Sequence, residues 1–341
     1  MTTSRRSFLA TSLAAAGLPA VPLRAEGTIA HPTGGLGRRI VREFRKLPGR
    51  TALKIWAPAV GHRPAWAVSL NPEQLLFCAS AFKGFVLAEY LRQTETGTAP
   101  LDELLPLDES VWSLSAPVLT AGIDTGLTGR IQARTALEAM IAHSDNTGTD
   151  IALKRAGVDR VRAFMGSIGL NHSHIPNTTR QFFGYLAGVP DWETVTWIEL
   201  LNAVNNLPPT GPSILNDVQT MASTANDFVS SYSRALQGEF FAKEETLTTF
   251  RSILALAGDI PDLMPLGVSA YLKSGSIAFR HEHALSLAGG AFIPDRRWVY
   301  FSFLINWGDG EGGTTSEVRS VGIRVLRNIF AWIKDALGTC H

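Results

Sequence analysis

Three short clusters carry side chains whose types and spacing suit acyl transfer. The first is Ser80-Ala81-Phe82-Lys83. On a helix, a spacing of i to i+3 sets a hydroxyl and an ammonium on one face, one turn apart. The segment they open, Phe82 to Leu91, is apolar nearly all round, which predicts a buried helix. A lysine buried beside a serine holds its proton less tightly and becomes a base able to activate that serine. A serine at a helix N-terminus also lies near free backbone N–H groups that can hold an oxyanion. The bland alternative is a capping serine beside a lysine that runs its stem over apolar surface.

The second cluster, Ser144-Asp145-Asn146, follows a helical run from Thr135 to Ala142. As chemistry it supplies a hydroxyl at Ser144 to relay a proton to a leaving group and an amide at Asn146 to hold a substrate amide. As plain structure it is a turn in which Asp145 or Asn146 caps the next helix. The third, Lys273-Ser274-Gly275-Ser276, closes a predicted strand from Val268 to Ser274. A lysine there can face a cleft, Gly275 lets a substrate approach the backbone, and the Ser276 N–H is a candidate second oxyanion donor.

These clusters need elements to hold them. Leu36, Ile40, Phe44 and Leu47 mark one face of a helix that Pro48-Gly49 ends. Strands are predicted over Thr51 to Trp56 and Ala65 to Leu70, then, after a long helical stretch from Asn71 to about Leu256, over Val268 to Ser274, His283 to Ile293 and Arg297 to Asn306. The last alternates, with Val299, Phe301, Phe303 and Ile305 on one face. A capping box at Thr314 and Glu317 opens a final amphipathic helix carrying Val318, Val321, Val325, Ile329 and Ile333. Strands at both ends of the chain suggest one sheet assembled from the two ends, with the helical middle inserted between them.

Taken in this order, S-x-x-K, S-D-N and K-[ST]-G form a set that resembles the class A beta-lactamases and penicillin-binding proteins. Leu76 to Lys83 is similar to that family's approach to its nucleophile, and Ala139 to Thr147 to its approach to S-D-N; the match runs, with gaps, from about Leu53 to Leu337. The resemblance implies an α/β (α+β) fold in which a five-stranded antiparallel sheet is flanked by the terminal helices. Residues 26–70 and 262–341 would form that lobe, and residues 71–261 an all-helical lobe carrying Ser80 and Ser144. It also implies a serine beta-lactamase acting on a small beta-lactam through an acyl-enzyme on Ser80. Lys83 would be the base, Ser144 and Lys273 the proton relay, Asn146, Ser274, Gly275 and Ser276 the substrate-facing groups, and no cofactor or metal would be needed. Alternatives with the same machinery are a D,D-peptidase, an esterase, or a penicillin-binding sensor that acylates once.

The sequence departs from the family where water is activated. Counting onward from Gly169 leads to Thr179-Arg180-Gln181, with no carboxylate, whereas Trp197-Ile198-Glu199-Leu200-Leu201-Asn202 has the family's Trp and Leu-Asn but a glutamate displaced by one residue. One residue in a helix turns a side chain by about 100°. Glu199 is the candidate base, the alternative being a surface role, with Glu193 in reserve. Arg280, just past Lys273-Ser274-Gly275, is the candidate partner for a substrate carboxylate; the alternative is a solvated hairpin arginine. Trp112 is a candidate wall of the cleft, and the aromatic residues Phe182, Phe183 and Tyr185 are expected to pack beneath the segment bearing Glu199.

The remaining composition narrows the partners. With 31 Lys plus Arg against 30 Asp plus Glu, nothing draws the chain to nucleic acid or an anionic membrane. Residues 1–25 read as a Tat-type export signal, with Arg5-Arg6 ahead of an apolar run too short for a stable membrane anchor, which implies a periplasmic protein; a monomer is expected. Cys78 and Cys340 are not expected to pair, and Cys78 reads as a packing residue. His172-Ser173-His174 and His281-Glu282-His283 lack an evident third ligand, so no metal is expected.

Overall fold

A computed structural model describes residues 34–114, 127–293 and 297–338. The export signal expected over residues 1–25, and Cys340, lie outside the described residues. The chain opens with α1 (Gly35–Phe44), β1 (Arg50–Ala57), β2 (Trp66–Leu70), the short β3 (Leu76–Phe77) and, after a 3-10 turn over Ala79–Phe82, α2 (Lys83–Glu95). A small hairpin, β4 (Leu104–Leu107) with β5 (Gly129–Gln132), leads into α3 (Ala133–Ala142), α4 (Asn146–Ala156), α5 (Val158–Ser167), α6 (Thr179–Ala187) and α7 (Trp197–Asn205). Then come β6 (Ala222–Ser223), α8 (Ala225–Ala235), α9 (Glu244–Leu254), α10 (Ile260–Leu263), β7 (Ser269–Phe279), β8 (Glu282–Ile293), β9 (Arg297–Gly308) and α11 (Thr315–Gly338).

The two ends of the chain build one antiparallel five-stranded sheet in the order β2-β1-β9-β8-β7. Strand β9 holds its centre, and its residues are buried on both faces rather than on the one that alternation suggested. Phe301 and Phe303 pack against Phe330 of α11, with ring centroids 4.9 and 5.8 Å away, and Phe44 of α1 reaches Phe303 at 5.5 Å. The opposite face meets α8 and carries Tyr300, whose hydroxyl accepts from Gln237 at 2.7 Å. The capping box forms as expected: the Thr314 N–H donates to Glu317 at 2.8 Å and the Glu317 N–H to Thr314 Oγ1 at 3.3 Å.

Two elements differ from their expected bounds in ways that matter to the site. Strand β7 runs on to Phe279, so Lys273-Ser274-Gly275-Ser276 lies inside it, paired along its length to β8 with Gly275 opposite Ser286. Ser80 sits in the tighter 3-10 turn, one residue row ahead of the α-helix that Lys83 opens. Helix α2 is buried on nearly every side, as its composition requires.

Candidate active site

The turn that presents Ser80 is held from three directions, two of them on the sheet. Asn306 on β9 mimics a neighbouring strand: its side-chain oxygen accepts from the Phe77 N–H at 2.8 Å and its amide donates to the Phe77 carbonyl at 2.9 Å. Ser286 on β8 donates to the Cys78 carbonyl at 2.5 Å, and the Cys78 N–H donates to the Met221 carbonyl at 2.8 Å. Under these ties Ala79 is held at φ +44°, a left-handed conformation that costs a non-glycine residue about 1–3 kcal/mol and persists only where its surroundings fix it. Ser144 is held likewise, at φ +58°. Both hydroxyl-bearing turns of the site are therefore set by packing rather than by local preference. Cys78 is free and buried, and burial pushes its thiol pKa up, away from reactivity.

Lys83 is fully buried, and its ammonium nitrogen donates to the Ser144 carbonyl at 2.6 Å and to Asn146 Oδ1 at 2.7 Å, with Ser144 Oγ at 3.4 Å. Desolvation, and then the charge of Lys273, push the Lys83 pKa well below the ordinary lysine range; the carboxylates of Asp145 and Asp150 oppose the shift. A neutral amine has two N–H groups and one lone pair. Two close acceptors take the N–H groups, which leaves the lone pair for a hydroxyl proton. Asp145 caps α4, accepting from the Gly148 N–H at 2.7 Å, and so fixes the turn between Ser144 and Asn146. One turn on, the buried Asp150 accepts from the Thr179 and Arg180 N–H groups at 2.7 and 3.0 Å; burial raises its pKa to about 6.

Lys273 comes from the facing strand. It too is buried, and desolvation lowers its pKa to about 8 against the opposing pull of Asp259. Gly275 is where the sheet meets the nucleophile: a Cβ there would lie 2.5 Å from the Ser80 nitrogen and 2.7 Å from Ser286 Oγ. Only glycine leaves that N–H open. A cavity of about 540 Å³ joins these pieces; Ser80, Ser144, Asn146, Lys273, Ser274, Gly275 and Ser276 all line it.

Other residues singled out in the sequence are placed elsewhere. Glu199 is exposed and caps its own helix: its carboxylate accepts from the Thr196 N–H and hydroxyl, both at 2.8 Å, and the Thr196 N–H in turn holds its pKa below the usual range. It does not line the cavity with Ser80, because the one-residue shift turns it into the N-terminal cap of α7. Glu193, also exposed, lies in the turn before α7. Arg280 sits at the β7–β8 turn with its guanidinium over Gly211, donating to the Pro208 carbonyl at 2.9 Å and the Pro212 carbonyl at 3.4 Å, away from the cavity. Trp112 is core, edge-on to Trp197 at 6.3 Å. The aromatic segment packs as a hub: Phe182 stacks on Phe77 at 5.7 Å, Tyr185 meets Trp192 at 5.6 Å, and α6 lies against α7.

Two cavity residues went unread in the sequence, Asp259 and Arg319. Arg319 on α11 donates to Asp259 at 2.9 Å, and the Ser274 hydroxyl donates to the other oxygen of the same carboxylate. They stand 60 residues apart and neither sits in a motif. The paired histidines His281 and His283 bond the two oxygens of Asp309, each at 2.7 Å, and among the described residues no group of three or more His, Cys, Asp or Glu is arranged to hold a metal.

The sequence matches the beta-lactamase enzyme family over residues 39–293, and the chain belongs to that family. Solved structures agree on the fold. A beta-lactamase from Chitinophaga pinensis superposes with a TM-score of 0.68 at 14% identity, over 89% of this chain and all 100% of that one. PBP-A gives 0.66 at 16%, over 89% and 96%, and a class A beta-lactamase from Mycobacterium abscessus gives 0.63 at 17%, over 89% and 100%. No curated protein matches the chain.

Proposed function

We propose that this protein is a serine acyl-transfer hydrolase of class A type that opens the beta-lactam amide and carries the acyl group on Ser80. The observation that supports this best is the convergence on one cavity of Ser80, Ser144 and Lys273, with the buried Lys83 bonded to the Ser144 turn. Lys83, in the neutral amine form that its desolvation favours, takes the Ser80 proton as the oxygen attacks the lactam carbonyl. The backbone N–H groups of Ser80 and Ser276 hold the oxyanion. Ser144, whose hydroxyl lies 3.4 Å from the Lys83 amine in the cavity that Lys273 also lines, passes a proton to the lactam nitrogen as the C–N bond breaks and is reprotonated by the one Lys83 took.

Release of the acyl group is the slower half. Among the described residues the only carboxylate lining the cavity is Asp259, and it is engaged by Ser274 and Arg319. With Glu199 spent on a helix cap, no other acid among the described residues lines the cavity beside Ser80. That observation favours a second reading alongside the first, a penicillin-binding protein whose acyl-enzyme persists. A chromogenic cephalosporin distinguishes them. Product should appear in a burst of one equivalent, followed by a slow steady rate. A linear trace without a burst would mean that deacylation is fast and that another group activates water; no burst and no product would remove the acyl-transfer reading. We further propose that the protein is exported to the periplasm through Arg5-Arg6 and the apolar run behind them.

A further inference from the structure

The end of the cavity beyond Lys273 holds a hydroxyl, a guanidinium and an ammonium, from Ser274, Arg319 and Lys273. Such a set is suited to an anion. The protein supplies that anion itself. Asp259 accepts from Ser274 Oγ through one oxygen and from Arg319 Nη2 at 2.9 Å through the other. Its loop is fixed beside the Ser144 turn, because the Gly258 N–H donates to the Ala142 carbonyl at 3.3 Å. Asp259 is therefore part of the resting site, paired on both oxygens and about one-fifth exposed (22%), whereas Arg319 is 56% exposed.

We propose that Asp259 is a specificity-determining residue: a built-in carboxylate that fills the anion-binding end of the cleft and favours acyl donors presenting an uncharged or cationic group there. The inference rests on the reading of Ser80 as the acylated residue. A donor with a carboxylate at that end must either displace Asp259 from Ser274 and Arg319 or lie beside it, and like charges brought together at a binding surface oppose binding strongly. A neutral donor meets no such opposition. Because Arg319 is largely in water, added salt should weaken the discrimination without abolishing it.

The test compares benzylpenicillin, which carries a carboxylate, with its methyl ester, which does not. Acylation rates are read by intact mass for wild type, Asp259→Asn and Arg319→Ala, and expressed as the ratio of the anionic to the neutral donor. Taking the ratio cancels the intrinsic reactivity of each donor. In Asp259→Asn the ratio should rise by about tenfold or more, since the asparagine keeps the shape and loses the charge. In Arg319→Ala it should fall, because the Asp259 charge is then less neutralised; this second variant serves if the first does not fold. A ratio unchanged in both variants overturns the inference and leaves acylation at Ser80 standing. No Ser80 adduct from either donor in any of the proteins overturns both.

Discussion

Around Ser80 the polar groups reach across the chain to one another; at the start of α7 Thr196 and Glu199 turn back on their own backbone. In the first region, Lys83 bonds residues more than 60 positions away, and Asn306 and Ser286 reach more than 200 positions back to the turn before the nucleophile. In the second, the Thr196–Glu199 pair caps α7, with the carboxylate accepting from the Thr196 N–H three positions back. Long-range ties of the first kind hold strained turns and a desolvated amine in place, which is what attack on a carbonyl and protonation of a leaving group need. Local caps end helices and do nothing more. The contrast bears on the two halves of the proposed reaction: among the described residues the groups around Ser80 are held in the arrangement acylation would use, whereas Glu199 is held by its own helix cap.

The contrast can be broken at the first region with the largest effects. Lys83→Ala should slow acylation by about 10²–10⁴-fold while the protein still melts cooperatively, since general-base catalysis is typically of that size. Acylation at the wild-type rate would show that the buried amine is a bystander. Gly275→Ala should cost about 10²–10³-fold in acylation, the usual loss for one oxyanion donor, because the added methyl would sit 2.5 Å from the Ser80 nitrogen. A variant with near-normal acylation would mean that the Ser80 N–H does not face the reacting carbonyl.

Lys273 gives a pH signature. Its pKa is lowered to about 8, so it is charged below pH 8 and neutral above. If its charge supports acylation, the rate should fall above pH 8, approaching tenfold per pH unit. Lys273→Arg should carry the plateau to higher pH, because a guanidinium stays protonated throughout. A falling limb unmoved by that substitution would assign the titration elsewhere.

The second region should be almost silent. Glu199→Gln should leave both the burst and the slow steady rate as in wild type, with a small drop in melting temperature from the weakened cap. A mutant that acylates and then stalls completely would contradict the placement of Glu199 and restore it as the water-activating base.

Glu199 also shows how far the sequence could be read. Thr196-x-x-Glu199 has the same spacing as Thr314-x-x-Glu317, and both form capping boxes. The second was legible because an amphipathic helix visibly followed; the first was obscured by its likeness to a catalytic motif, although the cap signal was present. Segments that bury a continuous face, such as α2 and the strands β8 and β9, were legible from composition, and the three motifs were legible from their order. Strand β7 was cut short at Ser274 because Gly275 reads as a breaker, while pairing with β8 carries the strand through it. Asp259, Arg319, Ser286 and Asn306 were not legible. Each works through hydrogen bonds or an ion pair to residues distant in sequence, and no local pattern marks such contacts.

The most direct test of the account is where the acyl group lands. Wild-type protein should be mixed with benzylpenicillin, quenched early in acid and digested, and the peptide carrying the added mass sequenced by fragmentation. The account predicts a single adduct on Ser80, present within the burst and absent in Ser80→Ala. An adduct on Ser144, on Ser276 or on any other residue, or an undiminished adduct in Ser80→Ala, would contradict it.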